Sequence, residues 1–343
     1  MEYRLLGRTG MPVSAYGLGT MTFGAETGED ESFAQLDAFI AAGGTLVDTA
    51  DVYAGGASEE IVGRWLRERP SDVTDHVVLV TKGRFPSAAT RGSEGTSRRH
   101  LRRALEGSLR RLGVDHVDVY LTHAWDPLTP LEETLSFLDD AVRAGHILYG
   151  GVSNYVGWQL QKACDLARVH NWTVPIALQP SYSLLVRDIE WEIVPAAIDN
   201  GLGILAWSPL GGGWLTGKYG RETPSGSTRL GEDPGRGLEA YDRRAQRDQT
   251  WQILDAVRAV ATSRGVSLAQ VALAWVAQKP GVSSVLLGAR SGEHLTDNLR
   301  AARLRLTEEE MAALDAASAP HVGDYPYGAD GVDQRTRRLP ASL

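Results

Sequence analysis

Eight short apolar runs punctuate the chain, separated by stretches in which apolar residues recur at the spacing of a helix face. The runs are 13–19 (VSAYGLG), 45–50 (TLVDTA), 77–82 (VVLVTK), 116–123 (HVDVYLTH), 146–154 (HILYGGVSN), 175–181 (PIALQPS), 203–210 (GILAWSPL) and 283–289 (SSVLLGA). Helices are predicted near 32–42, 58–68, 97–112, 130–144, 156–170, 190–200, 248–278 and 292–301. In the third of these Leu101, Leu105, Leu109 and Leu112 form one apolar stripe amid arginines that would face water. In the second, Ser58 is the expected N-cap, with Glu59 and Glu60 in the first turn and Ile61, Val62, Trp65 and Leu66 on the apolar face.

Eight βα units without a break in composition predict one (β/α)8 barrel, a single domain spanning residues 1–343. The competing architecture, a doubly wound sheet, would place a phosphate loop after its first strand. The segment GLGTMTFG (17–24) has only a lone GxG, without the third glycine at the right spacing. Two features fall outside the eightfold pattern. The first fourteen residues predict a hairpin around GRTG that closes the barrel floor. Near the other end Thr307 and Glu310 form a capping box for an extra helix, followed by a polar tail at about 320–343.

Composition narrows the field of functions. With 35 Lys plus Arg against 43 Asp plus Glu, the net charge of −8 gives no general attraction to nucleic acid or anionic membrane. One cysteine, Cys164, excludes an internal disulfide and a multi-cysteine zinc site; its helical surroundings read as those of a packed thiol. The histidines form no pair at ligand spacing, so no metal is expected. No GxSxG elbow is present, which sets a hydrolase aside. The N-terminus has no signal-peptide pattern and no run of about 18 apolar residues occurs, so a cytoplasmic protein is expected.

The chemistry collects at the ends of the predicted strands, where a barrel of this kind carries its active site. Asp48 closes the second run, Lys82 the third and His123 the fourth, and Tyr53 stands in the loop after the second. Singly, each has a plain structural explanation: a turn cap, a snorkelling lysine, a satisfied core histidine, a packed tyrosine. Together, at equivalent points of neighbouring units, they would meet at one mouth. An aspartate at the end of a buried strand needs a partner, and Lys82 is the natural one. A lysine ammonium near Tyr53 is expected to favour phenolate and lower the phenol's pKa from near 10. His123 would add a hydrogen bond to a substrate oxygen. This is equipment for protonating an oxygen as it gains charge.

On these residues the chain resembles the aldo-keto reductases. LVDTADVY, VTKGRF and VYLTHAWD carry, in order, the Asp, Tyr, Lys and His of that family's catalytic tetrad. GGVSNY, LQPSYSLLVRDIEWE, AWSPLGGGWLTGKY and VLLGARSGEHLTDNL match downstream, so the resemblance runs from about residue 3 to residue 318. The later motifs resemble most the branch holding bacterial reductases and the β subunits of voltage-gated potassium channels.

The resemblance implies a nicotinamide cofactor, since no side chain delivers hydride. It places Gly19, Thr20, Met21 and Asp48 along that cofactor, and Ser153, Asn154 and Gln179 on the carboxamide. Trp207 would stack on the nicotinamide ring. Ser208, Pro209, Leu210 and Gly212, with Lys218, would wrap the pyrophosphate, and Arg229 in the long connection 211–247 is a candidate clasp. Gly288, Arg290, His294 and Asn298 would hold the adenosine end. There Ser291 caps a helix and Arg290 suits the 2′-phosphate of NADPH, while His294 stands where glutamine is more usual. Substrate contacts are expected from Phe23, Phe85, Trp125 and Trp214 beside Tyr53 and His123, with Met21 nearby. The expected protein is thus an NADPH-dependent carbonyl reductase, acting on a small molecule as a monomer or homo-oligomer. The alternative is a cofactor-bound, redox-sensing regulatory subunit.

Overall fold

Each of the eight apolar runs contains a strand, to within one residue at an end of two of them, and the strands close on themselves. In chain order a short hairpin, β1 (Tyr3–Leu5) and β2 (Pro12–Ser14), precedes β3 (Tyr16–Gly19), β4 (Leu46–Asp48), β5 (Val78–Gly83) and β6 (Val117–Thr122). β7 (Ile147–Ser153), β8 (Ala177–Gln179), β9 (Gly203–Ala206) and β10 (Val282–Leu287) follow. β3 to β10 pair in parallel, and β10 returns to β3 with Val285 opposite Tyr16, giving a closed (β/α)8 barrel. The computed structural model describes residues 1–86, 94–222, 228–235 and 237–336, apart from the side chains of Arg229 and Leu238.

The hairpin pairs antiparallel, and Leu6 and Val13 bury against Leu46, Val80, Val119, Leu121, Ala177, Leu205 and Leu286. The hairpin therefore closes the barrel floor as expected and leaves the opposite end, where the strands finish, as the open mouth. Outside the strands, helix Arg98–Leu112 buries Leu101, Leu105 and Leu112, is capped by Ser97 and stops at Gly113 (φ 70°). It packs against helix Ala57–Glu68 at Gly63, where an added Cβ would lie 2.4 Å from the Arg111 carbonyl oxygen. Only glycine permits that approach.

Two predicted details differ. Ser58 is not an N-cap: the helix starts at Ala57 behind Gly56, and the buried Ser58 hydroxyl lies 2.9 Å from the Thr20 carbonyl and 3.0 Å from the Thr49 hydroxyl. It fastens the helix to the ends of β3 and β4. The span 248–278 is two helices, Asp248–Arg264 and Leu268–Ala277, broken at Gly265 (φ 64°), with Ser267 capping the second. The capping box forms, with Thr307 N–H on Glu310 Oε2 at 2.8 Å and Glu310 N–H on Thr307 Oγ1 at 3.2 Å. Beyond it the chain adds a short helix, Ala329–Asp333, within the segment read as tail. Cys164 is buried, and burial pushes its thiol pKa up to about 11, as befits a packed thiol. No single helix among the described residues is long and apolar enough to cross a membrane.

Candidate active site

Three adjacent strands bring their ends to one point. Asp48 is the last residue of β4, paired with Gly19 of β3 and Val80 of β5. Lys82 lies one residue from the end of β5, and His123 follows β6 with its N–H on the Gly83 carbonyl at 3.1 Å. Tyr53 opens a tight turn in which Ala54 (φ 49°), Gly55 (φ 66°) and Gly56 (φ 103°) are all left-handed. For alanine that conformation costs about 1–2 kcal/mol. The turn carries this strain where it lays the Tyr53 ring against Lys82, whose Nζ is 4.7 Å from the ring centroid.

Lys82 is fully buried, and its three N–H groups have three acceptors. Nζ donates to Asp48 Oδ2 at 2.8 Å, to the Thr49 carbonyl at 2.7 Å and to the Tyr53 hydroxyl at 3.1 Å. Gln179 Nε2 donates to the other Asp48 oxygen at 2.7 Å. Burial alone would lower the lysine pKa, but the charges and hydrogen bonds of Asp48 and Tyr53 outweigh it and hold the ammonium above its usual range. The phenol behaves differently from the expectation. Burial raises the Tyr53 pKa, Lys82 opposes it, and burial wins. Tyr53 is therefore a protonated phenol whose oxygen already accepts from an ammonium, with its own proton left for another acceptor. Burial, then Lys82 and Arg84, push the His123 imidazole down to about 3, so it is neutral at ordinary pH. Its Nδ1 has no partner among the described residues. Phe85 meets the His123 ring edge-on at 4.9 Å, and Trp125 packs edge-on against Tyr155 and Trp158.

From Tyr53 and Asp48 a cleft of about 320 Å³ runs across the mouth, lined by Gly19, Met21, Trp207, Ser208, Pro209, Leu210, Gly212 and Lys218. Gly288, Arg290, His294 and Asn298 line it as well. All twelve of these were expected from the sequence along a cofactor. Behind the cleft Trp207 Nε1 donates to Asn154 Oδ1 at 3.1 Å. Asn154 Nδ2 donates to the His123 carbonyl and to Ser153 Oγ, each at 3.0 Å, and Ser153 Oγ donates to the Gln179 carbonyl at 2.8 Å. Asn154 (φ 57°) and Ser208 (φ 52°) are both left-handed, a strain concentrated at this mouth.

Several expected residues are buried or engaged otherwise. Trp214 is fully buried, its Nε1 on the Glu239 carbonyl at 2.9 Å and its ring stacked on Tyr241, so it braces the loop and cannot touch a substrate. Phe23 is likewise fully buried in the core. Thr20 is buried beneath the cleft, its hydroxyl on the Asp48 carbonyl at 3.0 Å. Gln179 reaches Asp48 and supports the tetrad side of the site. Arg229 opens a short helix, Arg229–Glu232, and its side chain is outside the described residues. Arg290 is paired with Glu26 at 2.7 Å and Glu232 at 3.7 Å.

Two acids at the mouth went unread in the sequence: Glu26, which lines the cleft, and Asp51. The pattern DTAD was visible, but nothing in it fixes where the second acid points. Asp51 is 3% exposed and its Oδ1 has no partner among the described residues. Burial and then the Glu59 charge push its pKa to about 7, against the pull of Arg111 and Lys82. A folded pKa raised from 3.8 to about 7 means that the native state binds the extra proton in that window. Unfolding free energy should therefore fall as pH rises through it and level off above it. Asp51→Asn should flatten that slope, by roughly 4 kcal/mol at most between the two ends. Urea melts at pH 4.5 to 8.5 test this, and equal slopes in both proteins would refute it.

A model of the aldo/keto reductase family matches residues 15–319. A probable voltage-gated potassium channel subunit beta of Oryza sativa subsp. japonica is 37% identical over 309 residues, covering 88% of this chain and 91% of the relative. Uncharacterized oxidoreductase YrpG of Bacillus subtilis (strain 168) is 36% identical over 334 residues, 95% of this chain and 98% of its own. L-glyceraldehyde 3-phosphate reductase of Escherichia coli O157:H7 is 34% identical over 330 residues, with coverages of 94% and 93%.

Proposed function

Because the chain belongs to the aldo/keto reductase family, we propose that it reduces an aldehyde or ketone to the alcohol with NADPH, Tyr53 giving the proton. The observation that carries this reading is the fully buried Lys82 ammonium, bonded at once to Asp48, the Thr49 carbonyl and the Tyr53 hydroxyl. That arrangement has no use as a surface ion pair and suits an oxygen that must lose a proton on demand.

The cleft fits a dinucleotide. An added Cβ at Gly288 would meet no atom within 4 Å, so that glycine leaves room for a ligand, and Gly212 (φ 62°) turns the chain where a side chain would be strained. Leu210, Leu273 and Leu286 give apolar surface, and Lys218 and Arg290 give positive charge. Trp207, bonded to Asn154 and through it to the His123 backbone, adjoins the tetrad, and Ser208, Lys218, Arg290 and Asn298 share the lining. The bound nicotinamide supplies the hydride that no side chain can.

The chain's own residues do the rest. Tyr53 donates its proton to the carbonyl oxygen as charge develops there. Lys82 stabilises the phenolate left behind, and Asp48, tied by Gln179, keeps the ammonium in register. His123, neutral, donates a hydrogen bond and takes no part as an acid. Phe85, Trp125 and Met21 offer apolar surface beside the tetrad, which favours substrates with a hydrophobic or ring face.

A second reading, a redox-sensing regulatory subunit, is favoured by the similarity to the potassium channel β subunit. Turnover separates the two. A panel of aliphatic, aromatic and sugar-type aldehydes and ketones, followed by loss of NADPH absorbance, should give many turnovers per chain with at least one class. Oxidation that stops at one equivalent with NADP⁺ retained would favour the regulatory subunit, and no oxidation with any compound would overturn the reductase reading.

A further inference from the structure

Arg290 and the helix that follows it were expected from the sequence to receive a 2′-phosphate, yet both are already engaged by carboxylates. Arg290 Nε donates to Glu26 Oε2 at 2.7 Å. The Gly292 N–H, the first of helix Gly292–Leu299, donates to Glu31 Oε1 at 2.5 Å. Glu26 lies just before helix Glu29–Ala41 and Glu31 in its first turn, so one loop-and-helix-start segment supplies both acids.

The pairing is built in. Glu26 sits in a tight loop in which its own N–H and that of Thr27 both reach the Thr22 carbonyl at 2.9 Å. Phe23, fully buried, anchors the loop, and the Thr22 hydroxyl donates to the Ala289 carbonyl at 3.1 Å, one residue before Arg290. The loop and the Arg290 segment are thus fixed to each other, and the Glu26 side chain is only 22% exposed. Glu26, Arg290 and His294 line the same cleft.

On the reading that this cleft binds a nicotinamide dinucleotide, we infer that Glu26 is the residue that limits the preference for NADPH over NADH. A 2′-phosphate, close to dianionic, must take Arg290 from Glu26 and then lie beside that carboxylate. The 2′-hydroxyl of NADH carries no charge and meets neither cost. Arg290 draws the phosphate in, and Glu26 holds the gain down.

Dissociation constants for NADPH and NADH, from tryptophan fluorescence and equilibrium dialysis, test this in wild type, Glu26→Gln, Arg290→Ala and the double variant. Glu26→Gln should tighten NADPH binding by roughly tenfold or more, leaving NADH within about twofold. Arg290→Ala should weaken NADPH by about ten- to a hundredfold, scarcely alter NADH, and reduce the gain from Glu26→Gln in the double variant to the part due to direct repulsion. Adenosine 2′,5′-bisphosphate against 5′-AMP repeats the comparison without the nicotinamide half, and circular dichroism confirms that each variant is folded. Unchanged or weaker NADPH binding in Glu26→Gln, or equal shifts for both cofactors, would overturn the inference while leaving the reductase reading intact. If neither cofactor binds the wild-type chain, the dinucleotide reading itself fails, and this inference with it.

Discussion

Tyr53→Phe is expected to lower kcat by roughly 10²- to 10⁴-fold while leaving NADPH affinity within about twofold. The substitution removes one oxygen and keeps the ring, so the packing of the edge-on ring pair with His123, 5.8 Å between centroids, survives. What it removes matters only once a carbonyl oxygen gains charge, so the loss falls on kcat and kcat/KM together. With His123 neutral and the Lys82 ammonium held above its usual range, no other group of the tetrad is a ready proton donor. Steady-state kinetics with any substrate found active, beside a cofactor titration, decide the matter; turnover within tenfold of wild type would refute the assignment of the proton donor.

Lys82→Met should abolish measurable turnover and also destabilise the fold, by about 3–5 kcal/mol at neutral pH. The methionine occupies similar volume, so cavity formation is a small part of the loss. Most of it comes from Asp48, left buried with Gln179 as its remaining side-chain donor. Burial already raises the Asp48 pKa against the pull of Lys82, and without that pull it must rise further. A folded carboxyl pKa above the unfolded value adds stability below it, so the deficit should shrink as pH falls and Asp48 takes up a proton. Asp48→Asn combined with Lys82→Met should recover most of the stability and none of the activity. Urea unfolding of the single and double variants across pH measures both effects. A single variant as stable as wild type at neutral pH would mean that the buried pair is not coupled as described.

The barrel was legible because its two signals are local. A run such as VVLVTK and a stripe such as Leu101, Leu105 and Leu112 each encode one element, and eight repetitions leave one architecture to house them. The meeting of Asp48, Lys82 and His123 was legible for the same reason: a titratable residue at the end of a buried run is placed by the strand itself. What escaped depends on partners far away in the chain. Arg290 and Glu26 are separated by 264 residues, and no spacing rule joins them. Trp214 reads as a substrate contact until Tyr241 and Glu239 are seen to enclose it. Ser58 has the look of a cap, but Thr20 and Thr49 claim its hydroxyl for a junction between strands and helix. The break at Gly265 was a matter of weight: one glycine in a long apolar pattern does not outweigh its neighbours until Ser267 is recognised as a cap. The sign of the Tyr53 shift was missed because the sequence gives the neighbouring charge and not the depth of burial.

The central claim, that a carbonyl carbon receives hydride at this mouth, is tested most directly with NADPH deuterated at the transferable position of nicotinamide C4. The alcohol formed from an active aldehyde or ketone, examined by mass spectrometry, should carry one deuterium on the former carbonyl carbon. Unlabelled alcohol, or loss of the reduced cofactor without formation of any alcohol, would contradict it.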